Sequence, residues 1–272
     1  LKPPVRHTEF FSTAHYAAAY TFAAPPPALQ DYVELVWQSR FDALDLERQP
    51  EVHEQLLAHL SSSLVFSEGQ PFAVTSAGQT RSINSDALLV GQHSGPIQFH
   101  HLKDNKLTGI KLKPGTFYRL SGIPADALCN NIVSLQTLAP GLYQQLRTLS
   151  PTSALTQIFN NFHPQAHSFR YNAVKTAMQV YLAGMPENQH PERVAAQVHL
   201  TPRTLNRYFK EVLGIAPRKA FSIARLRKAL GDRSARKASG QAFSFYDYGY
   251  TDHSHFYKDL ATYGHLHSLQ QS

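Results

Sequence analysis

Apolar and polar positions follow two different periods along this chain, and the change from one to the other divides it. In residues 32–42, Tyr-Val-Glu-Leu-Val-Trp-Gln-Ser-Arg-Phe-Asp, aromatic and β-branched residues partly alternate with polar ones, as in a strand with one buried face. Shorter runs of this kind recur at 63–66, 72–75, 87–90, 97–101 and 109–112. Turn signals separate them: Glu68-Gly69, Ala77-Gly78, Ser94-Gly95-Pro96, Lys103-Asp104-Asn105 and Lys113-Pro114-Gly115. Several short strands at this spacing predict a small barrel or sandwich. From Gly115 to about residue 161 the period becomes helical, with breaks at Pro140 and Pro151. Residues 160–172 hold Pro164 and several polar amides and read as a linker, after which helical periodicity dominates. The expected fold class is α+β. A β-rich domain with trailing helices occupies 1–160, a linker 161–172, and an all-α domain 173–272. Residues 17–24 are too short and too weakly apolar for a secretory core and run into Pro25-Pro26-Pro27; they read as a loop or edge strand.

Within the helical half, the same arrangement occurs twice. His190 can cap a helix that starts at Pro191, a residue whose fixed φ suits the first helical position. Val194, Ala195 and Val198 then share one face. A turn follows at His199-Leu200-Thr201, where Thr201 is a good cap and Pro202 a good first-turn residue for a second helix. Leu205, Tyr208, Phe209 and Val212 form its apolar stripe, and Arg203, Thr204, Asn206, Arg207 and Lys210 its exposed face. The helix ends at Gly214, with Pro217 shortly after. A short helix, a tight turn and a second helix make a helix-turn-helix. The exposed set suits a major groove, because Arg can bond guanine bidentately, Asn can bond adenine, and Lys meets phosphate. About fifty residues later, Phe245, Tyr246 and Tyr248 precede Gly249-Tyr250-Thr251. The second copy carries one extra residue past its turn, so that Phe256 answers Leu205, Lys258 answers Arg207 and Leu260 answers Phe209. Its exposed face is His253, Ser254, Tyr257 and Lys258. Between the copies, residues 222–230 place Ile223, Leu226 and Leu230 on one face and Arg225, Arg227 and Lys228 elsewhere, which predicts a connecting helix.

Charge follows the same division. Residues 1–165 carry 11 Lys and Arg against 12 Asp and Glu, and residues 166–272 carry 15 against 7, so the whole excess of the +7 chain lies with the repeated motif. A basic module beside a near-neutral one fits a polyanion-binding segment joined to a segment with another task. The segment 168–272 is therefore expected to bind duplex DNA without the rest.

Residues 190–260 resemble the DNA-binding domain of the AraC family of transcription regulators. The resemblance rests on Ala195, the run Leu200-Thr201-Pro202-Arg203-Thr204-Leu205-Asn206-Arg207-Tyr208-Phe209, then Gly214-Ile215-Ala216-Pro217 and Arg225-Leu226-Arg227-Lys228-Ala229-Leu230, and on Gly249-Tyr250-Thr251-Asp252-His253-Ser254-His255-Phe256. It implies sequence-specific binding of double-stranded DNA across two adjacent major-groove segments. Arg203, Asn206 and Arg207 would be the readers of the first unit, and His253, Ser254, Tyr257 and Lys258 those of the second. A small-molecule effector, a second copy of the chain and RNA polymerase are the further partners such a regulator implies, in the cytoplasm. The second unit departs from the family pattern. Phe245 stands where a small residue is usual, Ser244 where an aliphatic one is usual, and Gly264-His265-Leu266-His267-Ser268 replaces the usual closing segment. In the N-terminal half, residues 25–29, Tyr32-Val33, Trp37, Leu89-Val90-Gly91, residues 109–115 and Gly122-Ile123-Pro124-Ala125 resemble an uncharacterised β-rich domain found before such readers.

Other chemistry is poorly supported. The 15 histidines lack metal-ligand spacing: His100 and His101 point to opposite faces of a strand, and His265 and His267 have no third ligand nearby. Cys129 stands alone, without a basic partner in sequence, and reads as a buried core thiol in a reducing compartment. Dinucleotide and Walker patterns are absent, as is any apolar run long enough to cross a membrane. No catalytic, cofactor or metal residue is assigned, and Trp37 with its aromatic neighbours could line a pocket. The alternative class is a sensor whose basic helices dock a protein. The placement of Arg, Asn and Lys after Thr201 favours DNA.

Overall fold

Among the described residues, ten strands form two antiparallel sheets between Tyr20 and Ser134, most of them where the sequence alternates: β1 (Tyr20–Ala23), β2 (Val33–Arg40), β3 (Glu51–Leu56), β4 (Ser63–Gly69), β5 (Phe72–Ser76), β6 (Gln79–Ile83), β7 (Ala87–Val90), β8 (Ile97–Leu102), β9 (Asn105–Leu112) and β10 (Ile132–Ser134). The structure is a computed structural model and describes residues 20–40, 51–76, 78–102, 104–146, 168–187 and 190–264. One sheet has the order β1-β2-β9-β4-β7-β10, the other β3-β8-β5-β6. The fold class is α+β, with a two-sheet sandwich followed by a helical half.

Neighbouring residues on the central strands serve different cores, because successive side chains point to opposite faces. Val65, Leu88, Val90 and Leu107 face the second sheet and pack with Phe72, Val74, Ile97 and Phe99. Leu64, Leu89, Ile110 and Leu112 face the other way, under α1 (Thr116–Ser121), α2 (Leu135–Leu138) and α3 (Pro140–Leu146), where they meet Phe117, Leu120, Leu135 and Leu142. Burial on both faces explains why β7 reads as an unbroken apolar run.

Three strands escape the sequence pattern. β6 is polar, exposed at four of its five positions, and is held by pairing with β5 at the sheet edge. β3 carries Glu54, whose buried carboxylate defeats the apolar alternation. β10 lies inside the stretch read as helical, and its three residues pair with Leu88, Leu89 and Val90. Of residues 17–24, which read as a loop or an edge strand, residues 20–23 form an edge strand and 17–19 lie outside the described residues.

The helical half contains α4 (Ser168–Ala183), α5 (Pro191–Gln197), α6 (Pro202–Leu213), α7 (Pro217–Ala238) and α8 (His253–Tyr263). Of the expected linker at 161–172, residues 161–167 lie outside the described residues and 168–172 open α4. The core of this half is shared: Leu57, Ala58, Leu60 and Tyr118 from the first half pack with Val174, Tyr181, Phe209, Phe221, Leu226 and Leu260. Glycines permit the approach. A Cβ on Gly214 would meet Gln92 Nε2 at 2.1 Å and Ala125 O at 2.4 Å, and one on Gly264 would meet Leu57 Cδ2 at 2.5 Å. A segment cut at 168 loses these four core residues, so the helical half does not carry its whole core.

Candidate nucleic-acid interface

The first helix-turn-helix forms where the sequence places it. His190 lies at the cap position of α5 in extended conformation, though its side chain makes no capping hydrogen bond, and Pro191 opens the helix. The turn depends on His199, whose φ of 55° lies in the left-handed region that side chains rarely enter. Thr201 Oγ1 accepts from the Thr204 amide at 3.1 Å and donates to Thr204 Oγ1 at 2.9 Å, closing the start of α6. Leu205, Phe209, Val212 and Leu213 are fully buried on the opposite face. Arg203, Asn206, Arg207 and Lys210 are exposed together, whereas Thr204 is half-buried and tied into the cap. The Arg207 guanidinium lies 5.4 Å from the Tyr208 ring centre, which orients the side chain along the helix face. Pro202 carries no N–H and the Thr204 and Leu205 amides are taken by Thr201, so the Arg203 amide and the helix dipole are what favour an anion at this N-terminus.

The second unit repeats the turn and changes its supports. Gly249, at φ 77°, occupies the place of His199. Its first element, expected as a helix, is a single 3-10 turn at Phe245–Tyr248. The Phe245 ring explains this difference in packing: it sits 4.5 Å from the His253 ring and stacks on Phe256 at 5.8 Å, occupying space that a closely packed helix would need. The cap of α8 is Asp252, whose carboxylate accepts from the His255 amide at 2.8 Å. That hydrogen bond pulls the Asp252 pKa below its ordinary value. Asp252 therefore corresponds to Thr201, and the extra residue lies in the turn. In this alignment Ser254 answers Arg203, Tyr257 answers Asn206 and Lys258 answers Arg207. His253, Ser254, Tyr257 and Lys258 are all exposed, and the His253 ring stacks on Tyr257 with centroids 6.5 Å apart.

Arg225 departs from its expected place on the polar side of the connecting helix. It is buried, donates to Asp259 Oδ2 at 2.6 Å, lies 3.1 Å from His255 Nε2, and covers the Tyr250 ring at 4.3 Å. A guanidinium can only donate, so His255 Nε2 accepts here, and His255 joins a structural cluster instead of the reading face. Asp259 stands at the helix position of buried Tyr208. A carboxylate on the apolar stripe was the sequence signal for a buried cationic partner. Tyr248 OH donates to Asp232 Oδ2 at 2.8 Å and fastens the 3-10 turn to α7.

A cavity of about 620 Å³, including its open mouth, lies between the two sheets. Tyr20, Phe22 and Trp37 form an aromatic side, while Leu56, Val65, Phe99 and Leu107 form apolar walls. The Trp37 indole covers Gly109, where a Cβ would stand 2.0 Å from the ring. Polar groups lie at two levels. Glu54 accepts from Tyr20 OH at 2.6 Å and pairs with the buried His101 at 3.0 Å. Lys111, four residues along β9 from Leu107, pairs with Glu34 at 3.3 Å. His100 faces outward, 2.7 Å from Thr75 Oγ1, opposite to His101 as expected. Cys129 is only half-buried, against the shared core and beside Lys219; burial pushes its thiol pKa up, so it is poorly suited to act as a nucleophile. Among the described residues no helix is long and apolar enough to cross a membrane.

A family profile described as Domain of unknown function (DUF6597) matches residues 21–134, the span of the strands. No curated protein matches the chain. Among solved structures, the chain is similar to ToxT from Vibrio cholerae O395, at 10% identity and a TM-score of 0.45, over 93% of this chain and 97% of that one. It is also similar to unsaturated fatty acid-bound wild-type ToxT from Vibrio cholerae strain SCE256, at 10% identity and 0.42, over 78% and 91%. A third similarity is to the AraC-like transcriptional activator CuxR, at 12% identity and 0.31, over 83% and 88%.

Proposed function

We propose that this chain is a sequence-specific DNA-binding transcription regulator of the AraC type, whose two helix-turn-helix units read adjacent major-groove segments. The repetition itself carries the proposal: two capped helices, each after a left-handed turn residue, present exposed polar faces, and one face combines two arginines, an asparagine and a lysine. The connecting α7 runs 22 residues. At about 1.5 Å per residue it reaches about 33 Å, close to one turn of duplex. Arg203, Asn206 and Arg207 are the proposed base readers, Lys210 and Lys258 the phosphate contacts, and the N-terminus of α6 a further phosphate site. Thr204 supports the cap, while His253, Ser254 and Tyr257 make the looser second contact. The cavity between the sheets is the proposed effector site. Its aromatic side and separated polar groups suit a small, partly apolar molecule with at least one polar end.

Fluorescence anisotropy of labelled duplexes, with the full chain at a series of salt concentrations, tests the reading. Log affinity is expected to fall linearly with log salt, with a slope of about −0.9 per phosphate neutralised. One sequence drawn from a random pool is expected to bind far more tightly than the pool. Binding that ignores both salt and sequence would overturn the proposal.

A further inference from the structure

One end of the cavity holds a buried carboxylate with one oxygen unclaimed. Asn105 Nδ2 donates to Gln70 O at 2.7 Å, so Asn105 Oδ1 must accept, and His101 Nδ1, 3.0 Å from it, carries a hydrogen. The other ring nitrogen of His101 lies 3.0 Å from Glu54 Oε2, and Tyr20 OH donates to that same oxygen at 2.6 Å. Among the described residues no donor reaches Glu54 Oε1. Whether the proton between His101 Nε2 and Glu54 Oε2 rests on nitrogen or on oxygen, Oε1 remains an acceptor. Glu54 lines the cavity although its side chain is only 8% exposed.

Three aromatic rings stand beside this carboxylate. Phe22 and Trp37 are directly opposite across β1 and β2, and Tyr20 lies two residues along β1 from Phe22, so the three side chains leave one face of the sheet. Tyr20 stacks on Phe22 with centroids 5.8 Å apart and lies 5.8 Å from the Trp37 ring. All three line the cavity and are only half-buried there. The cationic side chain of the cavity is at another level. Leu107 pairs with Ser39, the partner of Tyr20, whereas Lys111 pairs with Leu35 and Ser63. The four residues of β9 between those levels span about 13 Å, at roughly 3.4 Å per residue. Lys111 is also held 3.3 Å from Glu34.

We propose that this end of the cavity binds an organic ammonium ion with an aryl or other flat apolar body, its N–H donating to Glu54 Oε1 and its charge and carbons lying against Tyr20, Phe22 and Trp37. The proposal deepens the reading of the cavity as an effector site and rests on it. An aromatic face is the negative side of the ring quadrupole, so it attracts a cation and disfavours a carboxylate. Oε1 makes the same choice, because it can only accept: an N–H gives it a hydrogen bond, and an anion gives it a second lone pair. A neutral alcohol can donate to Oε1 but brings no charge to the rings, so it is the weaker donor of the two. The Lys111 ammonium is too distant to oppose a cation at Glu54, and a carboxylate would have to sit at the Lys111 level, away from Tyr20 and Glu54.

Trp37 is the chain's one tryptophan and lines the cavity, so its emission reports occupancy. The full chain is titrated, by calorimetry and by Trp37 emission, with three molecules of similar size: phenethylamine, phenethyl alcohol and hydrocinnamate. The amine is expected to shift Trp37 emission and to bind about tenfold more tightly than the alcohol, with the carboxylate weakest. Glu54→Gln removes the carboxylate, and Phe22→Leu removes one ring and keeps the Trp37 signal. Each is expected to narrow the difference between amine and alcohol with little change in the alcohol, and either decides the matter if the other does not fold. Hydrocinnamate bound more tightly than the amine by the wild type would overturn the ammonium class and leave the cavity reading standing. Amine affinity unchanged by the variants puts the amine elsewhere on the chain and overturns the proposal. Failure of all three molecules to bind removes the proposal and the cavity reading together.

Discussion

The two helix-turn-helix units share a turn and differ in what holds the helix behind it. In the first, α6 is anchored by an unbroken apolar stripe, Leu205, Phe209, Val212 and Leu213, with Tyr208 at its border. In the second, α8 buries Phe256, Leu260 and Tyr263 and gives the remaining place to Asp259, which Arg225 must neutralise under the Tyr250 ring. Apolar packing loses energy gradually as atoms are removed. A buried ion pair fails abruptly, because the surviving charge is left without a partner. The same local geometry is thus kept by two kinds of force, and the unit with the more basic exposed face is also the one with the simpler core.

The largest test of this contrast is Arg225→Ala. Stranding the half-buried Asp259 carboxylate should cost about 3 kcal/mol, the low end of the range for a buried pair. Hydrogen exchange should show the loss in α8 and the 3-10 turn, with α6 retained. The double change Arg225→Met with Asp259→Leu should recover most of the stability in a denaturant melt. Equal loosening of both units would remove the distinction.

At the DNA, Arg207→Ala should cost roughly 1–3 kcal/mol on the selected duplex and relax the preference at one base position. Its counterpart Lys258→Ala should weaken all duplexes about equally and lower the salt slope by about one. Measured in parallel by anisotropy on selected and random duplexes, the pair would sink the ranking of the units if Lys258 proved to be the more discriminating residue.

Acid provides the smallest test. Desolvation of Asp232 is outweighed by the Lys228 ammonium and the Tyr248 hydroxyl, which hold its carboxyl below the ordinary value of 3.8. A carboxyl depressed in the folded chain stabilises above that value, and the contribution fades as pH falls through it and below. Because the pair is partly solvated, the effect should stay under about 1 kcal/mol. It should appear as faster exchange around Tyr248 than in α6, and Asp232→Asn should abolish the difference. Equal sensitivity of α6 and the 3-10 turn would argue against a polar clamp in the second unit.

Much of this architecture was legible in the sequence where one physical signal acted alone. Pro191, Thr201, Pro202 and Gly214 mark helix ends through backbone constraints that act locally, and the elements stand where those residues put them. Arg203, Asn206, Arg207 and Lys210 were readable as one exposed face because the helical period leaves them opposite Leu205 and Phe209. What escaped depends on partners distant in sequence. Glu54 lies 47 residues from the His101 that makes its burial tolerable. Arg225 reads as a surface cation until Asp259 is placed 34 residues away. β10 is too short to show a period and exists through its pairing with β7. Asp252 was hidden by Thr251, an equally plausible cap one residue earlier, and only the hydrogen bond to His255 decides between them.

The unbroken course of α7 has a mechanical consequence. A continuous helix of 22 residues, buried along one side from Pro217 to Leu230, behaves as a stiff bar, and both helix-turn-helix units pack against it. Such a bar cannot lengthen or twist to follow a groove. If both units engage one duplex, as proposed, the part of any mismatch between the span of the bar and the pitch of the helix that the units do not absorb falls on the DNA, which then curves toward the protein. Smooth bending of a short site costs about 1–6 kcal/mol, depending on the stiffness of its base steps. Base pairs that no side chain touches, lying between the two contacted segments, would then enter the choice of site through their flexibility alone.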